Sequence, residues 1–294
     1  MSNLEGQFLR ELSVEEPVEL VVESGAGDVL VQAGEPGKVV VQGSFHIRAF
    51  GARGAHLLAE LLCEDPPVEV QGHKVRVGDM RKYTGLGRAL VGLTIDYRIA
   101  VPEGTEATVK SGSGDVRVRG VAGPLVLRTG SGDVEVEGIR QGVKIQVGSG
   151  DVRAKGVGEK LRVTTGSGDV LAEEIGGEVE IRTGSGTAKA CRVAGALTVH
   201  SGSGDLTLAE VGGGVEAAAG SGDISLDSGI AEGKTWRLRT GSGDVVLRLP
   251  QGSHFRLVAE SDRGRVESDF ASDPESPALI EVKSGSGDIE LRAR

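Results

Sequence analysis

An aspartate that closes the turn Gly-Ser-Gly-Asp returns every 18 residues, at Asp115, Asp133, Asp151 and Asp169, then at Asp205 and Asp223, with Thr187 in the one intervening place. A fixed step of this length restricts the chain to stacked repeats. One such unit cannot bury its own apolar face and must do so against its neighbours.

Counted from the aspartate, the apolar residues of a unit keep the same places. One unit has Val116, Val118, Val121, Leu125 and Leu127; the next has Val134, Val136, Ile139, Val143 and Ile145; the third has Val152, Ala154, Val157, Leu161 and Val163. Each unit therefore holds two short period-2 runs separated by glycine-bearing corners, the pattern of two half-buried strands. A meander of antiparallel hairpins and a solenoid with one coil per unit both satisfy that pattern, and the outward places separate them. Arg117, Glu135 and Arg153 share one place, and Arg119, Glu137, Lys155 and Glu173 another, so the sign of charge alternates from unit to unit. Equal places in successive parallel coils lie about 4.8 Å apart, where alternation turns like-charge repulsion into cross-strand pairs. A meander gives no reason for it. The expected fold is all-β: a right-handed parallel β-helix, or β-solenoid, of about ten coils, its hand set by strand twist and connection handedness.

Beyond 223 the repeat loosens into longer coils. Asp244 and Asp288 close two further Gly-Ser-Gly-Asp turns, and Asp262-Arg263-Gly264-Arg265-Val266 is a degenerate one. Pro250, Pro274 and Pro277 fall in corners, where a missing N–H does no harm. Trp236, Phe255 and Phe270 also gather here in a chain poor in aromatics, and bulky rings near the end of a stack suit a cap over its last apolar layer.

Residues 1–105 keep the alternation and lose the period. Val18, Leu20 and Val22 lead to the variant corner Ser24-Gly25-Ala26-Gly27-Asp28-Val29; Val39, Val41, Phe45 and Ile47 continue it; Val68, Val70, Val75 and Val77 mark another strand pair. Between them the segment 54–63, with Leu57, Leu58, Leu61 and Leu62 at helical spacing and Pro66-Pro67 behind it, reads as one short amphipathic helix that caps an open β edge. The expected organisation is an irregular capping region over 1–105 and solenoid coils over 106–294.

The Gly-Asp-Val corner, then Asp96-Tyr97-Arg98-Ile99-Ala100-Val101-Pro102-Glu103-Gly104, then serial Ser-Gly-Ser-Gly-Asp-Val units follow one another along nearly the whole chain. In this order the chain resembles the bacterial toastrack family of adhesin-like β-strand repeats and, more distantly, the adhesin heads of auto-transporters. The resemblance implies a single-stranded right-handed β-helix and a role in envelope or membrane-stress scaffolding. It brings no catalytic residues with it.

Composition narrows the partners. A formal net charge of −10 with both signs interspersed argues against nucleic acid and anionic membrane, which need concentrated basic surface. Cys63 and Cys191 are the only cysteines, too few for a disulfide framework. No stretch approaches about 18 consecutive apolar residues, and Met1-Ser2-Asn3-Leu4-Glu5-Gly6 lacks the basic-then-apolar form of a signal peptide. The expected place is the cytoplasm, without membrane insertion; an extracellular or envelope place requires a leader trimmed away.

The Asp column is the sharpest candidate site. Stacked carboxylates at Asp115, Asp133, Asp151, Asp169, Asp205 and Asp223 repel one another unless compensated, and Ca²⁺ is one compensation, as in β-rolls that set Gly and Asp in their turns. The other reading is turn chemistry, each carboxylate accepting N–H groups of its own corner. One Asp per coil supplies poorly the six or more oxygens that calcium takes, and Thr187 enters the column without disturbing the apolar pattern. We therefore read the column as structural and expect neither metal nor cofactor.

Cys191 and His200 share the coil of Thr187, a nucleophile and a base by type, yet they fall on different strands with no third group to orient them. His46, His56, His73 and His254 are scattered without ligand spacing. Arg76, Arg81, Lys82 and Arg88 surround Tyr83 and read as a solvated loop, with an anion or acidic partner as the alternative. Carbohydrate cleavage needs clustered acids and aromatic platforms, and the acids here are spread evenly. The expected function is a non-enzymatic scaffold or adhesin-like interaction module for a protein partner. Two alternatives stand beside it: a Ca-binding β-roll, and self-association into a dimer or filament through an incompletely covered terminal coil around Ile289 and Leu291.

Overall fold

A computed structural model of the protein describes residues 2–49, 52–81, 83 and 90–294. The chain divides into two compact units, Met1–Val143 and Lys144–Arg294.

In the second unit each coil is a strand, the Gly-Ser-Gly corner, a second strand and a second corner. Leu161–Ser167, Val179–Ser185, Leu197–Ser203, Val215–Ser221 and Thr235–Ser242 follow one another along one parallel sheet. Val152–Val157, Val170–Ile175, Ala188–Val193, Leu206–Val211, Ile224–Asp227 and Val245–Leu249 follow along the other. Pairing is in register at the repeat step, with Val152 facing Val170, Val170 facing Ala188 and Ala188 facing Leu206. The expected parallel β-solenoid is the observed architecture. Its apolar places point between the sheets, where Val170, Ala172, Ile175, Val179 and Ile181 are buried. Each buried Val or Ile side chain contributes roughly 1.5–3 kcal/mol, so coils too small to own a core share one.

The corner sequence follows from the closeness of successive coils. A Cβ on Gly204 would lie 2.2 Å from the Gly186 carbonyl oxygen, and Gly204 has φ +137°. A Cβ on Gly202 would lie 2.6 Å from the Gly184 carbonyl oxygen. One glycine supplies the backbone conformation, and both permit the approach.

The last coil of the chain is stacked out of sequence. Leu279–Ser284 lies between Thr235–Ser242 and Arg256–Ser261, and Ile289–Ala293 lies between Val245–Leu249 and Val266–Ser268. The spatially terminal coil is therefore the degenerate one. This corrects the expected open coil around Ile289 and Leu291: both side chains are fully buried because strands flank them on both sides, whereas Val258 and Val266 of the outer coil are each 44 % exposed. Phe255 and Phe270 meet there with ring centroids 5.5 Å apart, as a cap should. Trp236 is fully buried within the stack, facing Val215 and Ile280, and caps nothing.

The first unit contains coils of the same kind, Glu106–Ser113 with Val116–Arg119 and Leu125–Ser131 with Val134–Ile139. Here too a coil is out of order. Glu19–Ala26 lies between Lys74–Val77 and Glu106–Ser113, and Val29–Ala33 between Leu90–Val101 and Val116–Arg119. Beyond Leu90–Val101 the sheet turns antiparallel, adding Lys38–Ala49 and then Ser2–Ser13. Gly6 faces Phe45 and Phe8 faces Gly43 across that last pair, each ring lying over the opposite glycine and filling the space its missing side chain leaves. The helix runs over Ala52–Glu64, buries Ala55, Leu58, Ala59 and Leu62, and packs on these two outer strands; Leu57 points outward.

Candidate functional site

The corner carboxylates reach the next coil, not their own corner. Asp115 Oδ1 accepts the N–H of Asp133 at 3.0 Å, Asp151 that of Asp169 at 2.9 Å, Asp169 that of Thr187 at 2.8 Å, and Asp205 that of Asp223 at 2.9 Å. The expected bonding within one corner is thus corrected: the stacking distance that excludes a Cβ also brings each neighbouring N–H within reach. The ladder continues off the regular step, from Asp96 to the N–H of Asp28 and from Asp28 to that of Asp115, then from Asp223 through Asp244 and Asp288 to the N–H of Arg265. The donor in each of these rungs is a backbone N–H, which is why Thr187 can receive a rung without carrying a carboxylate. Arg117 lies 3.1 Å from Asp115 and Arg153 lies 3.8 Å from Asp151, so guanidinium and N–H groups together offset the stacked charge. Among the described residues no group of three or more His, Cys, Asp or Glu is placed to hold a metal ion.

A second corner column was not anticipated. Thr129, Thr165 and Thr183 are buried and donate through Oγ1 to the carbonyls of Ser131, Ser167 and Ser185 at 2.9, 3.0 and 2.8 Å. Thr240 and Ser284 donate instead to the Gly222 and Gly243 carbonyls of the preceding coil at 2.9 and 3.0 Å. The signal was present, since Thr or Ser precedes most Gly-Ser-Gly corners, and a buried hydroxyl needs an acceptor.

Outward charges pair as their alternation implies. Glu135 faces Arg117 and Glu137 faces Arg119; Glu135 lies 3.4 Å from Arg117 and 2.8 Å from Arg119. At the other corner, Glu174, Arg192 and Glu210 take φ of +58°, +57° and +52°, the place that Gly120 and Gly138 hold in the first unit at +70° and +68°.

Cys191 and His200 are not brought together. Cys191 faces Glu173 and Ala209 in one sheet, while His200 faces Arg182 and Ala218 in the other. In the basic cluster, Lys82 and Arg88 lie outside the described residues. Arg81 Nε lies 2.9 Å from both carboxylate oxygens of Asp79, and this guanidinium, helped by the Arg81 N–H, lowers the Asp79 carboxyl to about 2. Tyr83 donates its hydroxyl proton to the Asp65 carbonyl. His46 lies 3.1 Å from Glu5, and His254 lies 4.0 Å from Asp273.

Parallel coils joined by a carboxylate ladder through a Gly-Ser-Gly corner define the class, a parallel β-solenoid. The chain belongs to the Toastrack DUF4097 family, which it matches over residues 96–194 and again over 176–294. No curated protein matches it. Among solved structures it is similar to a putative adhesin from Parabacteroides merdae ATCC 43184, at 13 % identity and TM-score 0.33, covering 97 % of this chain and 96 % of that one. It is also similar to a putative adhesin from Bacteroides fragilis NCTC 9343, at 17 % identity and TM-score 0.31 over 98 % and 97 %. A putative lipid binding protein from Parabacteroides distasonis ATCC 8503 has 12 % identity and TM-score 0.29, with 97 % of each chain covered. Among the described residues no helix is long and apolar enough to cross a membrane.

Proposed function

We propose that the protein is a non-enzymatic interaction module whose outward sheet face holds a protein partner. The observation that carries this reading is the face made by the strands that lead into the Gly-Ser-Gly corners of the second unit. Arg162 faces Glu180, Arg182 faces Thr164 and His200, and Arg239 faces Lys283. Parallel register holds these side chains at strand spacing, about 4.8 Å apart. The two signs are mixed, with Arg182 lying 3.2 Å from Glu180, which suits a protein surface with its own paired charges better than a polyanion. Surface pairs of this kind contribute only about 0–1 kcal/mol each to stability, so they are free to exchange partners on docking.

The test is a photoreactive residue in place of Arg182 or Arg239, activated in cells that make the protein, with Thr207 of the opposite sheet as control. The expected result is a discrete adduct with a second protein from Arg182 and Arg239 and none from Thr207. Adducts from neither arginine position would remove this face as the binding surface.

A further inference from the structure

We propose that the C-terminal coil, residues 279–293, is an exchangeable clasp, and that the clasp of a second copy fills the same slot to give a strand-exchanged dimer. The slot lies between the coil of Thr235–Ser242 and Val245–Leu249 and the outer coil of Arg256–Ser261 and Val266–Ser268. Both of its walls precede the clasp in sequence, so they are synthesised before the segment that joins them.

The clasp, with Ala278 just before it, satisfies backbone groups on both walls. On one side Leu279 N–H donates to Lys234 at 3.0 Å, and Val245 N–H donates to Asp288 at 2.9 Å; on the other, Arg256 N–H donates to Ala278 and Ile289 N–H to Arg265, each at 2.8 Å. Ile280, Val282, Ile289 and Leu291 are fully buried between the walls. An empty slot would leave apolar surface and unpaired strand edges together, the condition under which β structure recruits another strand.

Charge selects the occupant. Glu281 meets Arg237 on the inner wall, Lys283 meets Glu260 and Arg292 meets Glu267 on the outer wall, and Arg294 meets Asp227, each at 2.7 Å. A strand of other sequence leaves several of these charges opposed or unpaired, each at a cost of about 0–1 kcal/mol, and must also match the apolar places of Ile280, Val282, Ile289 and Leu291, so the complementary occupant is this segment, from the same chain or from another. Simple edge-to-edge stacking of two outer coils is hindered, because the segment after the outer coil crosses its free edge. Asp273 N–H donates to the Phe255 carbonyl and Leu257 N–H to Ser272 Oγ, both at 3.0 Å.

The connection 269–278 can extend to about 33 Å. Closure within one chain enjoys a millimolar effective concentration, so exchange competes when the protein refolds at high concentration.

The experiment uses the full chain with Cys63→Ser and Cys191→Ser as background. Val258 of the outer coil faces Glu281 of the clasp, within the range that a disulfide spans. One preparation carries Val258→Cys and another Glu281→Cys; they are refolded together from denaturant at rising concentration, and separately mixed in the folded state. The expected result is a dimer by light scattering that contains a disulfide between the two variants, formed on joint refolding and not on native mixing. While it is scarce, its share should rise about tenfold for a tenfold rise in concentration. A single monomer at every concentration would overturn the proposal. So would a dimer whose crossed disulfide does not exceed that of native mixing.

Discussion

The two chain ends break sequence order in the same manner and finish their sheets differently. Near the N-terminus the coil of Glu19–Ala26 and Val29–Ala33 sits one place in from strands that follow it in sequence; near the C-terminus the coil of residues 279–293 sits one place in from strands that precede it. In both, the inserted coil is held by strands on two flanks. Beyond the first lie two long antiparallel strands and the helix of Ala52–Glu64, whereas beyond the second, among the described residues, lies a short outer coil with a segment crossing its edge. What makes a coil part of the core is thus its place in the stack, not its place in the sequence.

The largest test of that statement compares Leu291→Ala in the inserted coil with Val266→Ala in the outer one. The two residues lie on neighbouring strands of one sheet, one fully buried and the other 44 % exposed. Leu291→Ala should cost about 3 kcal/mol through lost burial and an unfilled cavity, and Val266→Ala less than about 1 kcal/mol. Equal losses in denaturant unfolding would break the comparison. A corner offers the next test. A Cβ on Gly112 would lie 2.4 Å from the Gly25 carbonyl oxygen, while a Cβ on Gly25, at the same place one coil out, meets nothing within 4 Å. Gly112→Ala should cost about 2 kcal/mol by overpacking, with Gly25→Ala within about 0.5 kcal/mol of the parent.

The regular coils were legible because a single period governs strand, corner and outward charge at once. Val134, Glu135 and Glu137 each face the residue 18 positions earlier, and the sequence shows the same matches as apolar identity and charge alternation. Nothing in that period reveals where an aperiodic coil is stacked. Asp288 looks like the next rung after Asp262, yet it takes the Asp244 carboxylate and passes its own to Arg265. Ser2–Ser13 was illegible for another reason: its apolar residues are few, and the ring of Phe45 supplies the cover over Gly6 that alternation leads one to seek within the strand. At the candidate site the Asp column was visible as a column, but the direction of its bonds depends on backbone spacing, which no side-chain pattern records.

The ladder supplies a smaller test of interior against end. Asp169 accepts the Thr187 N–H, so Asp169→Ala leaves that donor without its carboxylate and should cost about 1 kcal/mol. Arg265 receives the last rung through its backbone, so Arg265→Ala should stay within about 0.5 kcal/mol. A loss at Arg265 as large as that at Asp169 would mean that the terminal coil depends on its side chains as an interior coil does.

The smallest expected effect has the opposite sign and compares the later corners of the second unit with those of the first. Glu210 is exposed and holds φ at +52°, where the first unit places Gly120 and Gly138. That conformation costs a side chain roughly 1–2 kcal/mol, and glycine gives up about 0.5–1 kcal/mol of that gain through the extra freedom it loses on folding. Glu210→Gly should therefore stabilise by about 0.5 kcal/mol, a rise of roughly 1–2 °C in Tm. A loss beyond about 1 kcal/mol would mean that the Glu210 side chain itself holds the corner, a device that the glycine corners at Gly120 and Gly138 and, within the second unit, at Gly156 with φ +66° do not use.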